Sequence, residues 1–225
     1  MKLMFTSKGI FITGTDTGIG KTFVSCAIIQ AMKKTGKTVE GMKPLASGCA
    51  LYDGQWQNED ALALMQASDT NADYALVNPY AMPLATAPQI AARAANVTID
   101  IELIVDAYES LQSQADFIVV EGVGGWLAPL SDTLDQSDMV AAMQIPVVLV
   151  VGMRLGCINH ARLTEQAIQA GGFTLLGWIA NYCDAEFDDN GEYLQALSAV
   201  MQSPCLAKLP FNGQLLFAHD DVKPA

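Results

Sequence analysis

Two short segments, DFIVVEG (116–122) and PVVLVVG (146–152), are almost continuously branched and apolar, and each stops at a glycine. A strand with one wet face alternates apolar with polar residues, and these do not, so both are read as strands covered on both faces. Covering both faces of a sheet takes helices on each side. Three further β-favouring runs, GIFITG (9–14), KTVEGMKP (37–44) and LLGWIAN (175–181), and a short one at LAKLPF (206–211), are separated by helical patterns. Those patterns cover residues 21–36, 60–68, 98–115, 136–145, 158–172 and 191–202. Strands alternating with helices in this way are the signature of βαβ units. The expected fold is α/β, a doubly wound domain around a mostly parallel central sheet. No repeat, low-complexity tract or linker divides residues 1–225, so a single domain is expected, with the more polar residues 45–88 as an excursion within it.

Ligands of open α/β sheets gather beyond the carboxyl ends of the strands. GTDTGIGKT (14–22) lies there, after the first strand and at the start of the first helix. The standard phosphate loop reads G-x-x-x-x-G-K-[ST]. Here five residues separate Gly14 from Gly20, and Thr15 stands where the first glycine would be. The chemistry survives the extra residue, because Gly18 and Gly20 still allow successive N–H groups to face an oxyanion at a helix N-terminus. Lys21 can then reach terminal phosphates, and the Thr22 hydroxyl can ligate magnesium.

Other strand ends bring further chemistry to the same edge. Glu121 ends an apolar strand ahead of GVGGW, where a carboxylate either holds a hard cation bridging phosphate oxygens or emerges into water. Asp60 sits in the first turn of a helix, which it can stabilise without any ligand, so metal binding is one of two readings. Lys43, in GMKPLASG with Ser47, faces the phosphate edge and is read as functional. Residues 156–159 (GCIN) open a helix, and either their N–H groups receive an anion or Asn159 simply caps the helix. His160 and His219 have no metal spacing and are read as structural or exposed; Trp56, Trp126 and Trp178 are read as packing residues. No serine or cysteine nucleophile motif is present.

Composition narrows the partners. A formal net charge of −12 disfavours nucleic acid, which needs a basic surface. Between Lys43 and Lys208 the only cations besides histidine are Arg93, Arg154 and Arg162, so few side chains can neutralise an anionic ligand. No apolar run approaches the roughly 20 residues that cross a bilayer. The opening MKLMFTSKGIF, interrupted by Thr6, Ser7 and Lys8, lacks a secretory pattern, and a cytoplasmic location is expected. Five cysteines, an odd number without zinc spacing, suit reduced core thiols.

Taken in order, GTDTGIGKT, GMKPLASG, EDALAL, VNPY, VVEGVGGWLAPLSD, VVGMRLGCINHA and GWIAN resemble the dethiobiotin synthetase family over residues 10–210. That family carries the same lengthened loop, on a P-loop NTPase-like fold. The resemblance implies ATP and Mg²⁺ as cofactors, and 7,8-diaminononanoate and CO₂ as substrates for closure of a cyclic urea. It implies Lys21 and Lys43 as catalytic residues and Thr22, Asp60 and Glu121 around Mg²⁺. ATP would be held by Gly18, Ile19, Gly20, Lys21, Thr22 and Phe23, by Asp60 and Glu121 with Gly122, Val123 and Gly124, and by Asn181, Pro210 and Phe211. Thr17, Ser47 and Gly124 would line the diamine. Its carboxylate would meet Gly156, Cys157 and Asn159 with Tyr193, partly from the second subunit of a homodimer. Tyr182 and Cys183 depart from a pattern in which many members have aspartate. Two alternatives stay open, a nucleotide-switch binding protein and a related amide-forming ligase. Against the switch, Asp16 occupies the place where chromosome-partitioning and division-site ATPases carry a signature lysine.

Overall fold

The chain's architecture is seen in a computed structural model, which describes residues 7–187 and 191–217. The terminal HDDVKPA, with His219, and residues 1–6 lie outside the described residues. The chain runs β1 (Gly9–Gly14), α1 (Lys21–Lys33), β2 (Val39–Met42), β3 (Leu45–Ser47), β4 (Ala50–Tyr52), β5 (Gln55–Gln57), α2 (Glu59–Ala67), α3 (Tyr74–Val77), β6 (Tyr80–Met82) and α4 (Pro88–Ala95). It continues through α5 (Ile101–Gln112), β7 (Phe117–Glu121), α6 (Gln136–Met143), β8 (Val147–Gly152), α7 (Cys157–Ala170), β9 (Leu175–Asn181), α8 (Glu192–Val200), β10 (Cys205–Leu209) and β11 (Leu216–Phe217).

The main sheet has the order β11-β10-β9-β8-β1-β7-β2, parallel throughout except for β11 at one edge. Every residue of β1, β7 and β8 is buried, as their uninterrupted apolar runs require. The strand period of two divides their side chains between layers. Ile10, Ile12, Val119, Val148 and Val150 pack with Val24, Ile28, Ile29 and Leu64 of α1 and α2. Phe11, Ile118 and Val120 turn to the other face, against Ile104, Tyr108 and Leu111 of α5 and Met139 and Val140 of α6. Leu149, Val151 and Trp178 meet Ala161 of α7 and Leu197 of α8. The doubly wound α/β reading therefore holds.

Differences from the sequence reading fall mainly within residues 45–88. That excursion contains a parallel pair, β3 with β6, an antiparallel hairpin of β4 and β5, and α3. Asp53 and Gly54, at φ 47° and 83°, form the tight turn of the hairpin. Trp56 is 41% exposed there, so it is not a core packing residue as Trp126 and Trp178 are. Strand β2 is shorter than residues 37–44, since the ladder with β7 ends at Met42. None of the five cysteines forms a disulfide; Cys49 and Cys157 are buried and the others half-buried. Among the described residues no helix is long and apolar enough to cross a membrane.

Candidate active site

Strand β1 is the source of the first half of the site. Its chain leaves the sheet at Gly14 and re-enters regular structure at Lys21, with Gly18 and Gly20 in the left-handed region at φ 71° and 81°. Gly20 is the residue before α1, and a methyl group there would come within 2.4 Å of the Asn181 amide nitrogen. That nitrogen donates to the Ile19 carbonyl at 2.7 Å, so the end of β9 supports the loop from beneath. From the other side, Asp16 accepts from the Thr17 N–H at 2.7 Å and pairs with the Arg154 guanidinium ahead of α7. The Thr17 amide, with Arg154 beside it, holds the Asp16 carboxyl below its ordinary range despite partial burial.

Lys21 is 7% exposed, and its Nζ donates to the Asp16 carbonyl at 2.9 Å. Burial, reinforced by the charge of Lys43, lowers its pKa to about 8. An arriving phosphate would oppose both effects.

The second half of the site comes from β2, β7 and α2. Lys43 Nζ lies 2.6 Å from Glu121 Oε1, 3.1 Å from Asp60 Oδ2 and 3.1 Å from the Gly122 carbonyl. Burial works against its charge, but Glu121 and Asp60 outweigh burial and hold its pKa above the ordinary value. Asp60 shifts the opposite way, burial being outweighed by Lys43 and a hydrogen bond with Thr22. The Thr22 hydroxyl donates to the same Glu121 Oε1 at 2.9 Å. Glu121 Oε2 is buried without a partner. A buried carboxylate oxygen left unmatched is costly and marks a place for a further positive group.

The donors Thr22 Oγ1, Asp60 and Glu121 are all oxygens, which suits a hard cation. Among the described residues no three His, Cys, Asp or Glu side chains gather as a metal cluster. Two carboxylates and a hydroxyl underfill the shell of Mg²⁺, which demands about six oxygens, so the residues fit a cation that arrives with phosphate oxygens.

One cavity of about 460 Å³ unites these groups. Of the residues singled out in the sequence, Thr17, Gly18, Gly20, Lys21, Thr22, Phe23, Lys43, Ser47, Asp60, Glu121, Val123 and Gly124 line it. Ile19 is fully buried and can offer a ligand only its backbone. Gly122 and Asn181 are also buried, each engaged with a residue of the site. Pro210 and Phe211 follow β10 outside the lining. Gly156, Cys157 and Asn159 lie at the start of α7 and Tyr193 in α8, also outside it. The Cys157 side chain is in the core and its N–H donates to the Arg154 carbonyl, so it has nothing free to offer an anion. Tyr193 rests edge-on against Phe187 with ring centres 5.0 Å apart. A larger groove of about 740 Å³ between α1, α2 and residues 213–217 shares Phe23 with the cavity but none of its charged groups.

Sequence reasoning missed Asn58 and Ala46, which also line the cavity. Asn58 is the cap of α2, accepting from the Asp60 and Ala61 N–H groups, and an asparagine just before an acidic first turn was the available signal. Gln136 carried no such signal. Fully buried at the start of α6, it accepts from Val123 N–H at 2.7 Å and donates to the Gly125 carbonyl at 3.1 Å, fixing the glycine turn after β7.

Residues 8–218 match the family described as AAA domain. Over 202 residues, 90% of each chain, this one is 53% identical to the ATP-dependent dethiobiotin synthetase BioD of Xanthomonas axonopodis pv. citri (strain 306). It is 52% identical over 200 residues to the protein of the same name from Xylella fastidiosa (strain 9a5c), spanning 89% of this chain and 88% of that one. Among solved structures, a chain of the MinC:MinD cell division protein complex of Aquifex aeolicus superposes with a TM-score of 0.56 at 16% identity, over 91% of this chain and 81% of that one. The signal recognition particle receptor FtsY from Elizabethkingia anophelis does so at 0.55, also at 16% identity, over 96% and 62%. At such identities the likeness concerns the fold, which is P-loop NTPase-like. With about half its residues identical to these synthetases across nine tenths of its length, the chain belongs to the ATP-dependent dethiobiotin synthetase family.

Proposed function

We infer that this chain is an ATP-dependent dethiobiotin synthetase, a C–N bond-forming cyclo-ligase, with residues 1–225 acting as one domain. The observation that carries the site assignment is the meeting of two buried lysines, Lys21 and Lys43, with Thr22, Asp60 and Glu121 at one cavity.

One amine of 7,8-diaminononanoate captures CO₂ as a carbamate and loses a proton. A carbamate oxygen then takes the γ-phosphoryl group of ATP as its bond to ADP breaks. The second amine attacks the carbonyl carbon, closes the cyclic urea and expels phosphate. The difficulty is that carbamate and triphosphate are both anions. Two unit charges 4 Å apart repel by about 4 kcal/mol at an effective dielectric near 20.

The residues answer that repulsion. The N–H groups from Gly18 to Thr22 hold the phosphates, and Lys21 stabilises the phosphoryl group in transfer. Lys43, kept protonated by Glu121 and Asp60, lines the same cavity and would receive the carbamate. Thr22, Asp60 and Glu121 would hold Mg²⁺, which would supply positive charge against that developing on the phosphates. Thr17, Ser47 and Gly124 line the diamine. Asn181, whose amide nitrogen also supports the loop at the Ile19 carbonyl, contributes to the base site, with Pro210 and Phe211 alongside.

Gly156 and Asn159 at the start of α7, with the ring of Tyr193, lie outside this cavity and would serve the substrate carboxylate partly across the subunits of a homodimer. A formal net charge of −12 offers little attraction to nucleic acid, and a biosynthetic enzyme acting on small molecules fits the cytoplasm. Phosphate release tests the function. It should require diamine and bicarbonate together; steady hydrolysis without diamine would contradict it. Sedimentation should show a dimer at assay concentration, and an active monomer would remove the shared-site proposal.

A further inference from the structure

Lys43 lies one residue past the end of β2, whose ladder with β7 closes at Met42. Its own peptide groups are buried and have no strand to pair with, yet both are satisfied. The Lys43 N–H donates to the Val77 carbonyl at 2.8 Å, and its carbonyl accepts from Asn78 Nδ2 at 2.6 Å. The end of α3 thus clamps the backbone of the lysine from both sides.

The clamp continues. Asn78 Oδ1 accepts from the Tyr74 hydroxyl at 2.8 Å, and that hydroxyl accepts from the Asn58 N–H at 2.8 Å. The Asn58 side chain in turn accepts from the Asp60 N–H at 3.0 Å and the Ala61 N–H at 3.3 Å, fixing the first turn of α2. Asn78, Tyr74 and Asn58 are 2%, 8% and 9% exposed, so water cannot replace these bonds. The chain of contacts starts at the backbone of Lys43 and ends at the backbone of Asp60, the two residues whose side chains meet at 3.1 Å in the cavity.

We propose that Tyr74 and Asn78 are positioning residues for the reaction: their buried hydrogen-bond relay sets the separation of Lys43 and Asp60, and so holds the carbamate-side cation in register with the metal-side carboxylate. This rests on the site reading given above. The VNPY motif then has a role, with Asn78 as its working member. A hydroxyl, unlike a hydrocarbon, can accept from one element and donate to the other, which is why tyrosine stands at this position.

The test compares Tyr74→Phe and Asn78→Ala with Tyr108→Phe, which removes another buried hydroxyl from the same core layer, one bonded to Gln112 at 2.7 Å and remote from the cavity. Outer-shell partners of this kind change activity by about 10- to 100-fold. Tyr74→Phe and Asn78→Ala should lower kcat by about 10-fold or more with nucleotide affinity within about threefold, while Tyr108→Phe keeps kcat within about twofold. A second readout uses the nucleotide-free protein. Unfolding of Tyr74→Phe combined with Lys43→Met should be non-additive, and of Tyr108→Phe with Lys43→Met additive. Wild-type kcat in Tyr74→Phe, an equal loss in Tyr108→Phe, or additivity in both cycles would each overturn the relay. Lys43→Met that turns over normally would instead remove the site reading on which the relay depends.

Discussion

Lys43→Met removes the ammonium from a buried ion pair and leaves a side chain of similar length. Lys43 and Glu121 are 3% and 1% exposed, so loss of one partner strands a carboxylate that already has one unpartnered oxygen. Breaking a buried pair in this way costs about 3–5 kcal/mol. Asp60, whose side chain is 43% exposed, stays hydrated, so the low end of that range, about 3 kcal/mol, is expected. For a chain of this size each kcal/mol moves Tm by about 2–4 °C, giving a drop of about 6–12 °C without nucleotide. The double variant Lys43→Met with Glu121→Gln removes both charges and should recover most of that loss. The pH profile carries the sign. Lys43 has its folded pKa raised above 10.5, so its contribution is fully present below that pH and is lost as pH rises through the folded value. Calorimetry of Lys43→Met, Glu121→Gln and the double variant at several pH values, up to above 10.5, checks all three statements. Lys43→Met unfolding within 1 °C of wild type, or a double variant worse than either single one, would refute the reasoning.

With Glu121 as a proposed metal oxygen donor, Glu121→Ala should raise the magnesium concentration needed for half-maximal turnover by about 10-fold or more; an unchanged titration would take Glu121 out of the metal shell. Gly20→Ala should weaken ATP binding by about 10-fold and cost about 1–2 kcal/mol, since the loop is left-handed there and the new methyl meets Asn181 at 2.4 Å. Equilibrium titration with a fluorescent nucleotide reads the first and denaturant unfolding the second, and a variant equal to wild type in both would contradict the loop geometry. Glu40 is 1% exposed, bonded to Thr70 through one oxygen and unpartnered at the other. Burial raises its pKa above 4.5, so the folded chain holds that proton more tightly and this residue's contribution falls as pH rises from 4.5 through the raised value. Glu40→Gln should flatten that slope and stabilise the protein at pH 7 by about 1 kcal/mol, and unfolding series at several pH values would show whether it does.

What could be read from the sequence was what depends on near neighbours. Uninterrupted runs in β7 and β8 imposed burial on both faces, and the loop from Gly14 to Thr22 follows its strand and precedes its helix within nine residues. Lys43 and Glu121 stood out because a charge at the end of an apolar strand must emerge at the ligand edge. Their direct contact did not, since it joins residues 78 apart. The same holds for Arg154 with Asp16, 138 apart, and Asn181 with Ile19, 162 apart. The excursion at 45–88 stayed opaque for a different reason. Strands of three residues, such as β3 and β6, are too short to display a period, and each is defined by its partner across the chain.

The most direct measurement supplies ¹³C-bicarbonate, ATP and 7,8-diaminononanoate to the wild-type protein and to Lys43→Met, and follows product mass together with ADP. The wild-type protein should yield one labelled carbon in a cyclic urea for each ADP formed, and Lys43→Met should yield about 10²- to 10³-fold less per unit time while still binding ATP. ADP formed without labelled ring product, or Lys43→Met making it at the wild-type rate, would contradict the account.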